Sequence, residues 1–204
     1  MGRQRQIQAL CDDCACSIYN TRAPSLEYAR RVAKLLFMTA AHESGGFRWR
    51  RQLGFGRFDS RGAFGLWQCE RASIEDSIRF VRSAKRKALY HHCVDWLDAY
   101  DHDFPDLSLS EHDLNAITTV MQDNRGDPLA CLMARLHYLK FPGAVPPNTA
   151  GMAAYAKQYY NTHLGKAVAA DYLKAFEKHW PGDERNKYED SVIDIRSDHF
   201  CRSG

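Results

Sequence analysis

A chain of 204 residues, 45% hydrophobic and 26% charged, carries enough apolar content for one self-sufficient core, and the simplest count is a single domain. It has no repeat, no low-complexity linker and no apolar run near the roughly 20 residues a bilayer span requires. Twenty-eight basic against 25 acidic residues give a formal charge of +3. That is too mild to demand nucleic acid or a membrane surface, but it suits an anionic polymer.

At the start, Met1-Gly2-Arg3-Gln4-Arg5-Gln6 is basic, but Cys11-Asp12-Asp13-Cys14 interrupts any apolar continuation, so no secretory signal is read there. Cys11-x-x-Cys14-x-Cys16 resembles half of a zinc site. The nearest further ligands, His91, His92 and Cys93, lie at no matching spacing. Cys11 and Cys14, three apart on a helix, read more simply as small buried apolar residues. No metal or other cofactor is expected, and the odd total of seven cysteines fits synthesis in a reducing compartment.

Ser25, after Pro24, predicts an N-cap with Glu27 in the first turn. Leu26, Ala29, Val32, Ala33, Leu36, Phe37 and Ala40 then recur on one helical face up to Glu43, where Gly45-Gly46 stops the helix. Residues 45–64 interleave Gly45, Gly46, Gly54, Gly56 and Gly62 with Phe47, Trp49, Phe55, Phe58 and Phe64. This pattern predicts a loop or short hairpin with aromatic anchors, and any β-structure is expected here. Further helices are predicted at about 71–82, 85–100, 110–123, 127–140, 149–161 and 166–179. Ser110-x-x-Asp113 reads as a capping box, and Asp127-Pro128 as an N-cap with its first helical residue. Pro181-Gly182 closes the last helix. Residues 183–204 are polar and read as an extended or partner-dependent tail on a domain of residues 1–182. The basic runs 48–51 and 82–87 read as solvated helix faces rather than a nucleic-acid surface.

Glu43 is the leading chemical candidate. It sits one turn beyond Ala40 on the apolar side of its helix, and an acid at a helix C-terminus opposes the macrodipole. A carboxyl held partly out of water keeps its proton near neutral pH, as glycosidic bond cleavage requires. Gly65-Leu66-Trp67-Gln68 follows, with Gln68 at 68 − 43 = 25 positions further on. Gly65 permits close approach and the Gln68 amide offers two donors and an acceptor, the properties of a sugar-groove wall.

Glu43-Ser44 followed by Gly65-Leu66-Trp67-Gln68 resembles the signature of lytic transglycosylases and goose-type lysozymes. The longer pattern is similar to small lytic-transglycosylase-like proteins encoded by tailed phages. It comprises Ala40-Ala41-His42-Glu43-Ser44-Gly45, Arg51-Gln52-Leu53-Gly54, Gly62-Ala63-Phe64-Gly65-Leu66-Trp67-Gln68, Ala134-Arg135-Leu136-His137-Tyr138 and Tyr159-Tyr160-Asn161-Thr162-His163-Leu164-Gly165-Lys166. The resemblance extends over about residues 25 to 180. It implies a mainly α, lysozyme-like fold that cuts the MurNAc–GlcNAc bond of peptidoglycan, with Glu43 as acid and then base. It also implies that Ser44 supports the acid or the substrate, and that the Tyr160 hydroxyl, with Asn161 beside it, lies near the acid. Trp67 stands where the family more often has Met and reads as a buried core aromatic. Thr162-His163 departs from the family's small-Gly ending, and Tyr159 is an alternative match for Tyr160.

A second carboxylate would decide the reaction. Lytic transglycosylases use one Glu and the sugar's own C6 hydroxyl, giving a 1,6-anhydro product, whereas hydrolases typically pair two acids. The candidates are Asp59, flanked by Arg57 and Arg61, and Glu70, beside Arg71. Asp59 reads equally as a loop ion pair, and Glu70 equally as a helix-start acid. His42 reads as turned away from Glu43, because adjacent helical residues diverge. The expected partners are peptidoglycan glycan strands and other virion proteins, with no nucleic acid and no membrane. The expected place is the phage particle, acting at the cell wall. The alternatives are a structural tail protein with vestigial activity and a goose-type hydrolytic muramidase acting as a free endolysin.

Overall fold

The computed structural model describes residues 2–20, 22–56, 61–102, 111–161 and 166–182. Asp59, Ser110 of the expected capping box and the 183–204 tail lie outside the described residues. The chain is mainly helical with one small hairpin, as its periodicity predicts. The elements are α1 (Arg3–Ser17), α2 (Leu26–Glu43), β1 (Ala63–Phe64), β2 (Cys69–Glu70), α3 (Arg71–Arg82), α4 (Lys87–Asp98), α5 (Glu111–Val120), α6 (Asp127–Leu139), α7 (Thr149–Tyr159) and α8 (Ala169–His179). None of the described helices is long and apolar enough to cross a membrane.

Helix α2 is the axis of the fold. Its N-cap Ser25 accepts from the Tyr28 amide, and ten of its residues between Ala29 and Ala41 are buried, far more than one amphipathic stripe. Helices α1, α6, α7 and α8 pack against it, while α3 packs on α4, α5 and α6. Helix α1 buries Ile7, Leu10, Cys11, Cys14 and Ala15, a 3–4 spacing in which the thiols act as small apolar groups. Arg135 of α6 is 3% exposed and donates through Nε to the Ile18 carbonyl at 3.1 Å, placing a cation where the α1 dipole ends negatively.

The bounds differ from the periodic expectation where charge or proline chemistry intervenes. The predicted 85–100 helix is instead a 3-10 turn at Ala84–Arg86 followed by α4, because the Lys85-Arg86-Lys87 run supplies no apolar face to nucleate an earlier start. Gly126, not Asp127, is the N-cap of α6. The Asp127 carboxylate is drawn instead into a two-pronged ion pair with Arg50, at 2.9 and 2.7 Å.

The run 48–51 is therefore no helix face. It is a turn leading to a β-bridge between Arg51 and Phe64, with the Arg51 guanidinium 4.2 Å from the Phe64 ring centre. In the hairpin, Ala63 lies opposite Glu70 and Phe64 opposite Cys69. Strand β2 thus falls just past the 45–64 window, because the turn Gly65-Leu66-Trp67-Gln68 is needed to reverse the chain.

Candidate active site

Glu43 is the last residue of α2, and the chain leaves it through a glycine-built C-cap. The Gly45 amide donates to His42 O at 3.2 Å and the Gly46 amide to Ala41 O at 2.8 Å, with φ of 61° and 79°. These are the two bonds of a Schellman motif, in which a side chain at the left-handed position would be strained. Ser44 is fully buried; its hydroxyl donates to Ala40 O at 2.6 Å and accepts from the Phe47 amide at 2.7 Å. Ser44 fixes the turn that carries Glu43 and has no hydroxyl proton left for a substrate.

Around the carboxyl the fold gathers groups from four elements. The Tyr172 hydroxyl of α8 donates to Glu43 Oε1, and the Asn161 side chain, just past α7, hydrogen-bonds both Glu43 and Tyr172. The His42 ring lies against the Tyr172 ring, with centroids 3.9 Å apart. Burial pushes the Glu43 carboxyl above its ordinary range. The hydrogen bond from Tyr172, the charge of His42 and the bond from Asn161 pull it back, and the neighbouring Glu70 charge adds to the rise. The net direction is upward, towards an acid that keeps its proton. Desolvation, with the Glu43 charge and the bond to Glu43, pushes the Tyr172 phenol upward, so it remains a donor.

Tyr160 lies near enough to the acid for the Glu43 charge to reach it, but its hydroxyl bonds elsewhere. Its hydroxyl donates to Trp67 O at 2.7 Å and lies 3.3 Å from Cys69 Sγ, tying the end of α7 to the hairpin. Tyr172, which sequence reading missed, occupies the position beside the acid. The available signal was a tyrosine on the apolar face of α8, four residues before Phe176, whose buried hydroxyl requires a partner. The Asn161 side chain is brought to Glu43, while its backbone oxygen accepts from Lys157 at 2.9 Å.

The hairpin supplies the other wall. Gly65 is buried with φ 73°, and a Cβ there would sit 2.6 Å from Ala130 Cβ; the close approach it permits is to α6 rather than to a sugar. Gln68 holds a left-handed φ of 48°, a conformation that costs a non-glycine residue roughly 1–2 kcal/mol. Its Nε2 donates to Gly65 O at 2.8 Å and to Trp49 O at 3.5 Å. Gln68 Oε1 accepts from none of the described residues and is open to a ligand donor. Trp67 is fully buried, its indole N–H on Leu36 O at 2.9 Å, matching the core reading.

Glu70 is exposed at the N-cap of α3 and makes no side-chain capping bond. Arg71 does not pair with it, donating instead to Asn115 Oδ1 at 2.8 Å and Glu111 O at 3.1 Å. Glu70 thus stands at the start of α3, where the sequence also reads it, and its charge is felt at Glu43.

Among the described residues no group of three or more His, Cys, Asp or Glu side chains is arranged to hold a metal ion. Cys11 and Cys14 instead meet Cys131 of α6 in the core as hydrogen-bonded thiols. The arrangement around Glu43 is suited to delivering a proton to a leaving oxygen and taking one back. No family model, no characterised protein and no solved structure matches this chain.

Proposed function

We propose that the protein cleaves the β-1,4 MurNAc–GlcNAc bond of peptidoglycan as a lytic transglycosylase, with Glu43 as the single acid and base. The observation that carries this reading is a half-buried carboxyl at a helix C-terminus, raised by desolvation and oriented by Tyr172 and Asn161. In this role Glu43 protonates the glycosidic oxygen as the C1–O bond breaks, and the resulting carboxylate then accepts the proton of the C6 hydroxyl as that oxygen closes on C1. Proton transfer of this kind contributes roughly 10²–10⁴-fold. The sequence resemblance supports peptidoglycan as the glycan and a phage particle as the carrier, where the enzyme would open the wall locally during entry.

The deciding experiment is turbidity loss on purified sacculi, comparing wild type with a folded Glu43→Gln protein. Gln keeps the shape and accepts from Tyr172 but has no proton to give, so cleavage should vanish. Near-wild-type clearing by Glu43→Gln would remove Glu43 from this role. Mass spectrometry of purified particles tests the virion placement, and absence of the chain from them would favour a free endolysin.

A second reading is favoured by one observation. Exposed Glu70, unpaired with Arg71 and close enough to act on Glu43, could activate a water in the goose-type hydrolytic manner. A structural virion protein with vestigial activity is the weaker alternative, since nothing would then maintain the buried Glu43–Tyr172–Asn161 group.

A further inference from the structure

We propose that the Trp49 indole is a stacking platform for a pyranose ring, a sugar subsite immediately beside Glu43; this rests on the glycan-cleaving reading above. Trp49 is 49% exposed and is the aromatic member of the exposed large hydrophobics among the described residues. Tryptophan is ordinarily well buried, and isolated exposed apolar side chains need no special account. What separates Trp49 from that background is how it is held and where.

Its main chain is pinned by the site itself. The Trp49 amide donates to Ser44 O at 3.1 Å, and its carbonyl accepts from Gln68 Nε2. Its ring rests on the backbone of Gly45, two residues past the acid. A Cβ at Gly45 would stand 3.2 Å from indole Cδ1 and 3.5 Å from Nε1, so the glycine that caps α2 also clears the seat for the ring. The indole is therefore seated against the Glu43 turn with about half its surface in water, and its main chain is tied to Gln68 of the hairpin.

The chemistry that fits such a surface is a β-linked pyranose. With its hydroxyls equatorial, the ring offers a flat face of axial C–H groups to an aromatic plane and keeps its polar rim hydrated. A rigid amphipathic aromatic supplies this contact at little conformational cost, and Gln68 Oε1 beside it can take a hydrogen bond from an acetamido N–H or a hydroxyl. Trp49 would fix the register of the strand relative to Glu43 rather than take part in proton transfer.

The test is isothermal titration of peptide-free glycan strands, released from sacculi by an amidase, into the uncleaving Glu43→Gln protein and into the same protein carrying Trp49→Ala or Trp49→Phe. Ring-stacking energies convert to roughly tenfold in affinity. Trp49→Ala should therefore weaken binding about tenfold, with Trp49→Phe recovering most of it. In the otherwise wild-type enzyme Trp49→Ala should raise KM more than it lowers kcat. Because the indole makes no hydrogen bond to any of the described residues, the Ala variant should keep the wild-type Tm. Cleavage of the strands by wild type, together with unchanged affinity on Trp49→Ala, overturns the subsite and leaves the enzyme reading standing. No cleavage by wild type and no binding by any variant overturns both.

Discussion

Tyr172 donates its hydroxyl hydrogen bond to the Glu43 carboxylate across 129 positions of the chain. One residue ends the central helix and the other lies on the apolar face of the last described helix, so the acid is oriented only once α8 has docked on α2. The same docking removes Glu43 from water. The bond from Tyr172 and the burial around it therefore act in opposite directions on the proton: the phenol favours the carboxylate, the desolvation favours the acid, and desolvation is the larger.

Replacing Tyr172 by Phe should separate these effects. Without the donor, the charged form of Glu43 loses support and its pKa rises further. The protonated acid then persists to higher pH, so the alkaline limb of kcat/KM should move upward. At the same time kcat should fall on the order of tenfold, because the carboxyl is no longer held in line. A limb that stays in place or moves down would show that Tyr172 does not control the acid.

Glu43→Gln should stabilise the protein at neutral pH while abolishing activity. The folded pKa lies above the ordinary 4.5, so in the wild type the unfolded chain gives up this proton first as pH rises. Below the ordinary value both states are protonated and no difference arises. Between the two values stability falls, and above the folded value the loss is complete. Gln carries no such loss, so it should be the more stable protein at pH 7, with an advantage that shrinks towards pH 4. Thermal unfolding across that range measures it; a pH-independent difference would mean that Glu43 ionises as freely in the fold as in the unfolded chain.

Much of this site was legible from the chain alone because it is built on local signals. The α2 helix from its Ser25 cap to its Gly45-Gly46 stop follows from periodicity and capping chemistry, and it puts Glu43 at the terminus. Asn161 was reached through the motif. Tyr172 was not, because nothing near it in sequence says which of several buried tyrosines meets the acid; that is settled by how α7 and α8 pack, a long-range property. The Arg50–Asp127 pair was hidden for the same reason, and it changed the meaning of a local signal, turning an apparent N-cap into an ion-pair partner. Asp59 lies outside the described residues.

Tyr160→Phe should behave unlike Tyr172→Phe, although both remove one hydroxyl. Tyr160 serves the Trp67 carbonyl, which belongs to a buried residue. Losing that donor leaves a desolvated acceptor and should cost about 1–3 kcal/mol in urea unfolding. The pH dependence of kcat/KM should keep its wild-type alkaline limb. A limb shifted as in Tyr172→Phe would place Tyr160 in the acid's own shell and restore the role that the sequence resemblance implies for it.

Glu70→Gln decides between the two reaction courses. A base that activates water must be held in a fixed geometry across a gap of roughly 6.5–9.5 Å from the acid, with its own side chain locked. Glu70 is exposed, makes no capping bond and is not held by Arg71, so nothing fixes it in such a pose. Its charge nevertheless raises the Glu43 pKa. Removing that charge should lower the Glu43 pKa, so the alkaline limb should move down while cleavage continues at a comparable maximal rate. The products should still end in 1,6-anhydroMurNAc, lighter by one water than reducing-end muropeptides. Reducing ends from the wild type, together with loss of cleavage in Glu70→Gln, would show instead that Glu70 delivers a water and that the reaction is hydrolysis.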